Sequence, residues 1–340
     1  MIKSNIKKNK KNSLNPKSKK LLRVISKTGK INENAKYTDT FSSFNEDFSA
    51  KLTKNLYLQI YDIESDLLYE HKLNFSQLNL EGMSQIFLDN KLFLCGCKLN
   101  SINEDNETLD TNPNSFSSSF MYSIDITKEP IKVLFEVNSC YMHYYPSLSI
   151  LRNEYIIVIA GFKSHKCEYY SITNKRWKDL PDIPEERYGC SIFCDNSYNY
   201  VYCIGGYNSK TQKCCSTIFR LNMNKANKWD TILVMENSEF LTKKFSCVGK
   251  INESSFVILG GKDNYNYTSD DIINIEIINK NNKIIINENK GKKLANKSEF
   301  ISIREGLFYE DSLYCFDDEI KDIIHKVEKK VATTIKLTSI

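Results

Sequence analysis

The side chains in this chain best able to do chemistry are its eleven cysteines and four histidines, and their spacing argues against most of that chemistry. Cys95 and Cys97 alternate as on a strand, and Cys190 and Cys194 stand four apart in a run that also reads as strand. His71, His143, His165 and His325 are not paired at zinc-site intervals, so no metal site is expected. Cys214 and Cys215 are adjacent in a polar stretch, where only Lys210 and Lys213 could favour a thiolate; the pair is expected to be an ordinary exposed loop. Gly205-Gly206 and Gly260-Gly261 are followed by strand-like sequence, so no helix N-terminus would meet a phosphate there. No Gly-x-Ser-x-Gly elbow occurs, and no histidine sits in a motif that marks a base. This pattern points away from catalysis and calls for no cofactor.

The elements that must position these residues are strands. From about Phe48 to Leu337 the chain is a succession of short apolar runs separated by Asn, Asp, Gly and Lys turns. Tyr155-Ile-Ile-Val-Ile159, Tyr200-Val-Tyr-Cys-Ile204 and Phe256-Val-Ile-Leu259 are β-branched or aromatic and of strand length. Strand follows strand with no helical period between, which disfavours a parallel βαβ sheet and predicts an all-β fold.

The runs also repeat. A glycine step closes one at Cys95-Gly96-Cys97, Ala160-Gly161, Gly205-Gly206 and Gly260-Gly261. Before the last three steps stand Tyr145, Tyr188 and Phe245, each opening another run, and the same interval links Phe300 to Phe316 without the glycines. In two units a later run carries tryptophan, at Trp177 and Trp229. Paired inner strands, a diglycine, then tyrosine and tryptophan at fixed offsets resemble kelch repeats. The resemblance implies a kelch-type β-propeller of about six four-stranded antiparallel blades, its ring closed by pairing strands from both termini. It makes Gly161, Gly205, Gly206, Gly260 and Gly261 backbone bends beside a crowded axis, and Trp177 and Trp229 wedges between blades.

In such a ring the loops entering the inner strands line one mouth. Here they read Met142-His143-Tyr144-Tyr145, Glu185-Glu186-Arg187-Tyr188, Thr242-Lys243-Lys244-Phe245 and Lys297-Ser298-Glu299-Phe300. Arg with Tyr is the composition of binding hot spots. The last aromatic of each group is expected to pack inward, which leaves His143, Tyr144, Arg187, Lys243 and Lys244 as the candidate interface residues.

Charge adds a partition. The net charge is +5, yet residues 1–30 hold eleven Lys or Arg and no acid, so the rest carries 36 basic against 42 acidic residues. Residues 1–35 are read as a flexible basic arm and 36–340 as the propeller; the loop from Leu99 to Ser119 is read as a disordered insertion. The mildly acidic body disfavours nucleic acid. No apolar stretch approaches membrane-spanning length, and the first residues lack an apolar leader, so a reducing cytoplasmic setting without disulfides is expected. The expected role is non-catalytic binding of another protein as a scaffold. A cytoskeletal or ciliary partner ranks ahead of a ubiquitin-ligase substrate-receptor role through a separate adaptor, and a small-molecule enzyme using the ring's pocket ranks last.

Overall fold

The structure, a computed structural model, describes residues 3–6, 19–28, 54–75, 80, 82–97, 119–232, 242–252, 255–267, 269, 271–278, 283–293, 306–309, 312–316, 323–328 and 332–339. The expected Leu99 to Ser119 insertion, apart from the buried Ser119, and the loop ending in Phe300 lie outside them. Among the described residues every regular element is a strand. No helix there is long and apolar enough to cross a membrane.

The strands are β1 (Lys3–Ile6), β2 (Lys20–Thr28), β3 (Lys54–Asp62) and β4 (Leu67–Leu73), then β5 (Met83–Leu88), β6 (Lys91–Gly96), β7 (Phe120–Asp125) and β8 (Val133–Phe135). They continue with β9 (Ser147–Leu151), β10 (Tyr155–Gly161), β11 (Ser164–Ser171), β12 (Arg176–Leu180), β13 (Ser191–Asp195) and β14 (Tyr200–Ile204). A small hairpin, β15 (Tyr207–Asn208) and β16 (Lys213–Cys214), precedes β17 (Ile218–Asn222) and β18 (Trp229–Ile232). The last are β19 (Cys247–Lys250), β20 (Ser255–Leu259), β21 (Asp271–Ile278), β22 (Lys283–Lys293), β23 (Gly306–Tyr309), β24 (Ser312–Phe316), β25 (Ile323–Glu328) and β26 (Ala332–Ser339). Four antiparallel four-stranded sheets result: β5 to β8, β9 to β12, β13-β14-β17-β18, and β19 to β22. The first and last strands share one sheet of order β2-β3-β4-β1-β26-β25-β24-β23, in which β1 runs parallel to both neighbours. The two ends of the chain thus meet. Successive sheets touch through their first strands, β2 with β5, β5 with β9, β9 with β13, β13 with β19 and β19 with β23.

The second strand of each unit explains why the runs read as unbroken apolar stretches. Side chains on a strand alternate between its faces, so a strand covered on both sides needs an apolar residue at every position. On β10, Ile156 and Val158 pack with Phe93, Cys95 and Met121 of one neighbour, while Ile157 and Ile159 pack with Cys190, Ile192 and Val201 of the other. Strand β6 divides likewise, Leu92 and Leu94 joining Leu22, Val24 and Leu58, and Phe93 and Cys95 turning the opposite way.

That packing corrects the expectation of a flexible arm over 1–35. Residues 20–28 form β2, paired along its length with β3, and Leu21, Leu22, Val24 and Ile25 are buried. Lys20 and Arg23 are buried with them, Arg23 Nε donating to Gln59 Oε1 at 2.6 Å. The basic composition concealed an apolar patch that the neighbouring sheet covers. The cysteine expectation is corrected at one point too: Cys214 and Cys215 are buried rather than exposed, Cys214 pairing with Tyr207 in the β15-β16 hairpin and the Cys215 amide donating to the Gly206 carbonyl at 2.8 Å. Burial pushes the Cys215 thiol up to about 12, away from the thiolate form. Ten cysteines, Cys95 and Cys247 and those between them, are free thiols.

Candidate binding face

The face is built on a backbone device that recurs just before each inner strand. Gly82, Tyr145, Gly189 and Phe245 all have positive φ, between 54° and 72°. The Tyr145 amide donates to the Gly82 carbonyl at 2.8 Å, and the Phe245 amide to the Gly189 carbonyl at 2.7 Å. A second set of bonds joins each unit to the next: Cys97 N to His143 O at 3.0 Å, Gly161 N to Arg187 O at 3.3 Å, and Gly206 N to Lys243 O at 2.8 Å. His143, Arg187 and Lys243 are therefore equivalent positions. The glycine steps meet them, and the second residue of each step is the demanding one. Its φ is 137° at Gly161, 89° at Gly206 and 98° at Gly261, whereas the first is an alanine, Ala160, in one unit and glycine, Gly205 and Gly260, in two others. A Cβ on Gly206 would lie 2.8 Å from that of Cys190.

This architecture reverses the expected division of the mouth loops. His143 and Arg187 are wholly buried, and Lys243 and Lys244 nearly so. Each of the three equivalent heads turns inward. His143 Nδ1 donates to the Ala160 carbonyl at 2.7 Å while Nε2 meets Glu168 Oε1 at 2.9 Å. Since a carbonyl can only accept, Nδ1 carries a proton, and a further proton between Nε2 and the carboxyl makes the buried pair jointly neutral. Arg187 donates to the carbonyls of Gly205 at 3.1 Å and Thr217 at 3.0 Å, to Glu185 Oε2 at 2.6 Å, and lies over the Phe219 ring at 4.5 Å. Burial would raise the Glu185 carboxyl, but the Thr217 hydrogen bond and the Arg187 charge outweigh it and hold it below the usual carboxylate range. Lys243 Nζ donates to Ser269 Oγ at 2.5 Å. Lys244 lies 4.2 Å from the Tyr207 ring centre, and burial lowers its ammonium. The His143, Arg187 and Lys243 heads tie each entry loop to its own unit, their carbonyls and the Lys244 side chain make the contacts with the preceding unit, and linear spacing alone does not show where the heads turn. Of the five candidate residues only Tyr144 stays partly exposed.

Tyr145, Tyr188 and Phe245, the rings expected to pack, are half-buried and in contact with one another. With Tyr144, Phe162 and Tyr207, also half-buried, they form an unbroken chain of ring contacts, with centroids 4.6 to 6.4 Å apart, an aromatic collar. Trp229 and Trp177 behave as interblade wedges: each indole donates to a carbonyl just past the preceding sheet, Trp229 to Pro181 at 2.8 Å and Trp177 to Val137 at 2.9 Å. Trp229 is buried and Trp177 half-buried.

Between the inner strands runs a cavity of about 310 Å³. It is lined by residues such as Ser84, Ser147, Ser191, Cys190, Phe193 and Lys250, and by no carboxylate or imidazole among the described residues. Ser84 and Ser147 already donate to the Pro146 and Cys190 carbonyls of the next unit. Away from it, Cys140 Sγ and the carboxylates of Glu168 and Asp179 come within 4.8 Å of one another, a grouping from separate parts of the chain that no linear spacing shows. Glu168 there is engaged by the Cys140 amide at 3.0 Å as well as by His143.

The solved structure of YjhT, a kelch-type propeller, superposes with a TM-score of 0.55, covering 78% of this chain and 86% of its own at 11% identity, which shows the shared fold. A kelch repeat-containing protein of Dictyostelium discoideum is 38% identical over 65 residues, 19% of this chain. The chain has a β-propeller fold, with one stretch similar in sequence to a kelch repeat-containing protein. The matched stretch is 10% of the Dictyostelium protein's length. No family model matches the chain.

Proposed function

We propose that this propeller is a non-catalytic interaction module that binds another protein through the aromatic collar. The observation that carries the reading is the collar itself, six linked and partly exposed rings at one mouth of the ring, while the cations beside them are buried. Rigid aromatic surface held without loss of side-chain freedom is what interface hot spots use. Among the described residues the cavity lining holds no carboxylate or imidazole, which favours binding over the rival enzymatic reading. Within this class a cytoplasmic, cytoskeletal or ciliary scaffold is preferred to a ligase receptor.

Proximity labelling in the native cell tests this, comparing the natural chain with a Phe162→Ala, Tyr207→Ala variant of unchanged melting temperature. Filament or ciliary components enriched by the natural chain and lost from the variant support the reading. Enrichment of ligase subunits overturns the ranking, and identical neighbours for both proteins overturn the role of the collar.

A further inference from the structure

The cavity between the inner strands is lined by two cysteines, Cys190 and Cys194, whose surroundings differ. Cys194 behaves as thiols among apolar neighbours do, burial pushing it up to about 12. Burial likewise raises Cys95, Cys97, Cys167, Cys203, Cys214 and Cys215. The exposed Cys140 is raised too, by partial burial and by the Glu168 and Asp179 carboxylates. Cys190 departs from all of these, and its neighbours show why. Its Sγ lies 3.1 Å from Ser147 Oγ. Ile192 faces Cys203 in the register of β13 with β14, which makes Cys190 and Cys203 diagonal neighbours on one face, packed in the same core cluster. The Arg187 guanidinium is wholly buried within electrostatic reach of the Cys190, Cys203 and Cys215 thiols, and its Nε has no hydrogen-bond partner. The Cys203 thiol, the Ser147 hydroxyl and the Arg187 charge together outweigh burial and hold Cys190 below the usual thiol range. Among the described residues the titratable groups facing Cys190 are Cys167, Cys203, Cys215 and Arg187, with Glu185 paired to the guanidinium.

We propose that Cys190 is a nucleophilic thiol, oxidised to the sulfenic acid by small hydroperoxides that enter the cavity. The site goes beyond the binding reading and stands whatever the collar's partner is. Cys190 is 7% exposed and lines the cavity, whereas Cys203 is fully buried, so Cys190 carries the sulfur of the pair that an entering molecule meets. In the neutral state the thiol donates to Ser147 Oγ, while the Ser147 hydroxyl donates to the Cys190 carbonyl at 2.8 Å. When the thiol ionises the hydroxyl can turn its proton to the sulfur, and the buried Arg187 charge offsets the new anion. A lone pair of the thiolate then attacks one oxygen of the peroxide. The S–O bond forms as the O–O bond breaks, sulfur is oxidised and the peroxide reduced by the same electron pair, and hydroxide, or alkoxide from an organic hydroperoxide, leaves and takes up a proton.

The test treats the reduced full chain with substoichiometric hydrogen peroxide, then unfolds it, alkylates the remaining thiols and reads the loss of free thiol at each cysteine by mass spectrometry. A parallel sample with dimedone present captures the sulfenic acid. Two cysteines serve as internal controls, because Cys140 is exposed without the activating groups and Cys194 lines the same cavity in the thiol form. Cys190 should react about tenfold faster than either at neutral pH and carry the dimedone adduct. Its rate relative to Cys140 should widen as pH falls from about 8 to about 6.5, since the Cys140 thiolate is lost first. Ser147→Ala should slow Cys190 about fivefold and leave Cys140 unchanged. Cys140 reacting first overturns the proposal, because exposure alone then governs oxidation. Equal rates at Cys190 and Cys194 overturn it by reducing Cys190 to a thiol that the cavity merely reaches. A constant ratio of Cys190 to Cys140 across that pH range, or a Cys190 rate untouched in a folded Ser147→Ala chain, removes the activation and overturns it as well.

Discussion

Replacing Arg187 by methionine separates a clamp from a contact residue, because the two roles predict opposite readouts. The guanidinium is fully buried, and its removal withdraws donors from the Gly205 and Thr217 carbonyls. A buried acceptor left without a donor costs about 1 to 3 kcal/mol. The cation's seat over Phe219, 4.5 Å away, is lost as well, worth about 1 to 2 kcal/mol when desolvated. Two effects reduce the sum. Glu185 is 32% exposed and can be hydrated once its partner is gone, and Arg187 Nε, buried without a hydrogen-bond partner, is a penalty that methionine removes. The net expectation is about 3 kcal/mol, a fall in melting temperature of about 6 °C for a chain of this size. Thermal unfolding followed by circular dichroism measures it, with Lys163→Ala as an exposed control that should stay within about 1 °C. A melting temperature within about 1 °C of the natural chain, accompanied by loss of partner labelling, would refute the clamp and restore Arg187 to the interface.

Gly206→Ala should destabilise by more than about 2 kcal/mol, since the new methyl meets Cys190 at 2.8 Å with φ at 89°. Gly260→Ala should cost only about 1 kcal/mol, because its nearest neighbour would be Ser269 O at 3.3 Å and Ala160 already occupies the equivalent place; urea unfolding of the two variants gives the ranking. Trp229→Phe removes the bond to Pro181 and part of a buried wedge, and should lower stability by about 2 kcal/mol, against about 1 for the half-buried Trp177→Phe, both read from urea midpoints. Burial alone would raise Glu136, but the Ser123 and Lys175 hydrogen bonds, the Lys175 charge and Tyr170 outweigh it and leave the carboxyl below its ordinary range. Its folded form thus binds a proton less readily than the unfolded one, so its contribution is complete above the unfolded value and fades as pH falls through the folded value. Melting temperatures of the natural chain and Glu136→Gln should therefore differ at neutral pH and converge in acid; a constant gap would refute the assignment.

Much of the fold was legible because short unbroken β-branched or aromatic runs and glycine steps are local physics. Tyr155 to Ile159 and Tyr200 to Ile204 could only be strands covered on both faces, and the repeat of the steps required equivalent units. Legibility failed where a residue's partner is distant in sequence. Leu21, Leu22, Val24 and Ile25 read as a weak patch in a basic tail, yet β3 and β6 lie ready to bury them, and no N-terminal composition reveals that cover. At the mouth, the equivalence of His143, Arg187 and Lys243 lay in the sequence as a fixed offset from the positive-φ position. Whether their heads faced water or the interior of their own unit depended on Ala160 O, Gly205 O and Ser269 standing within reach.

The sequence by itself determined the strands, the repeat, the glycine bends and the tryptophan wedges, because each follows from backbone sterics and side-chain alternation within a few dozen residues. Only the tertiary structure decided which side of each mouth loop is surface. That choice is set by partners brought up from later strands of the same unit, where a buried cation finds carbonyls and hydroxyls to satisfy it.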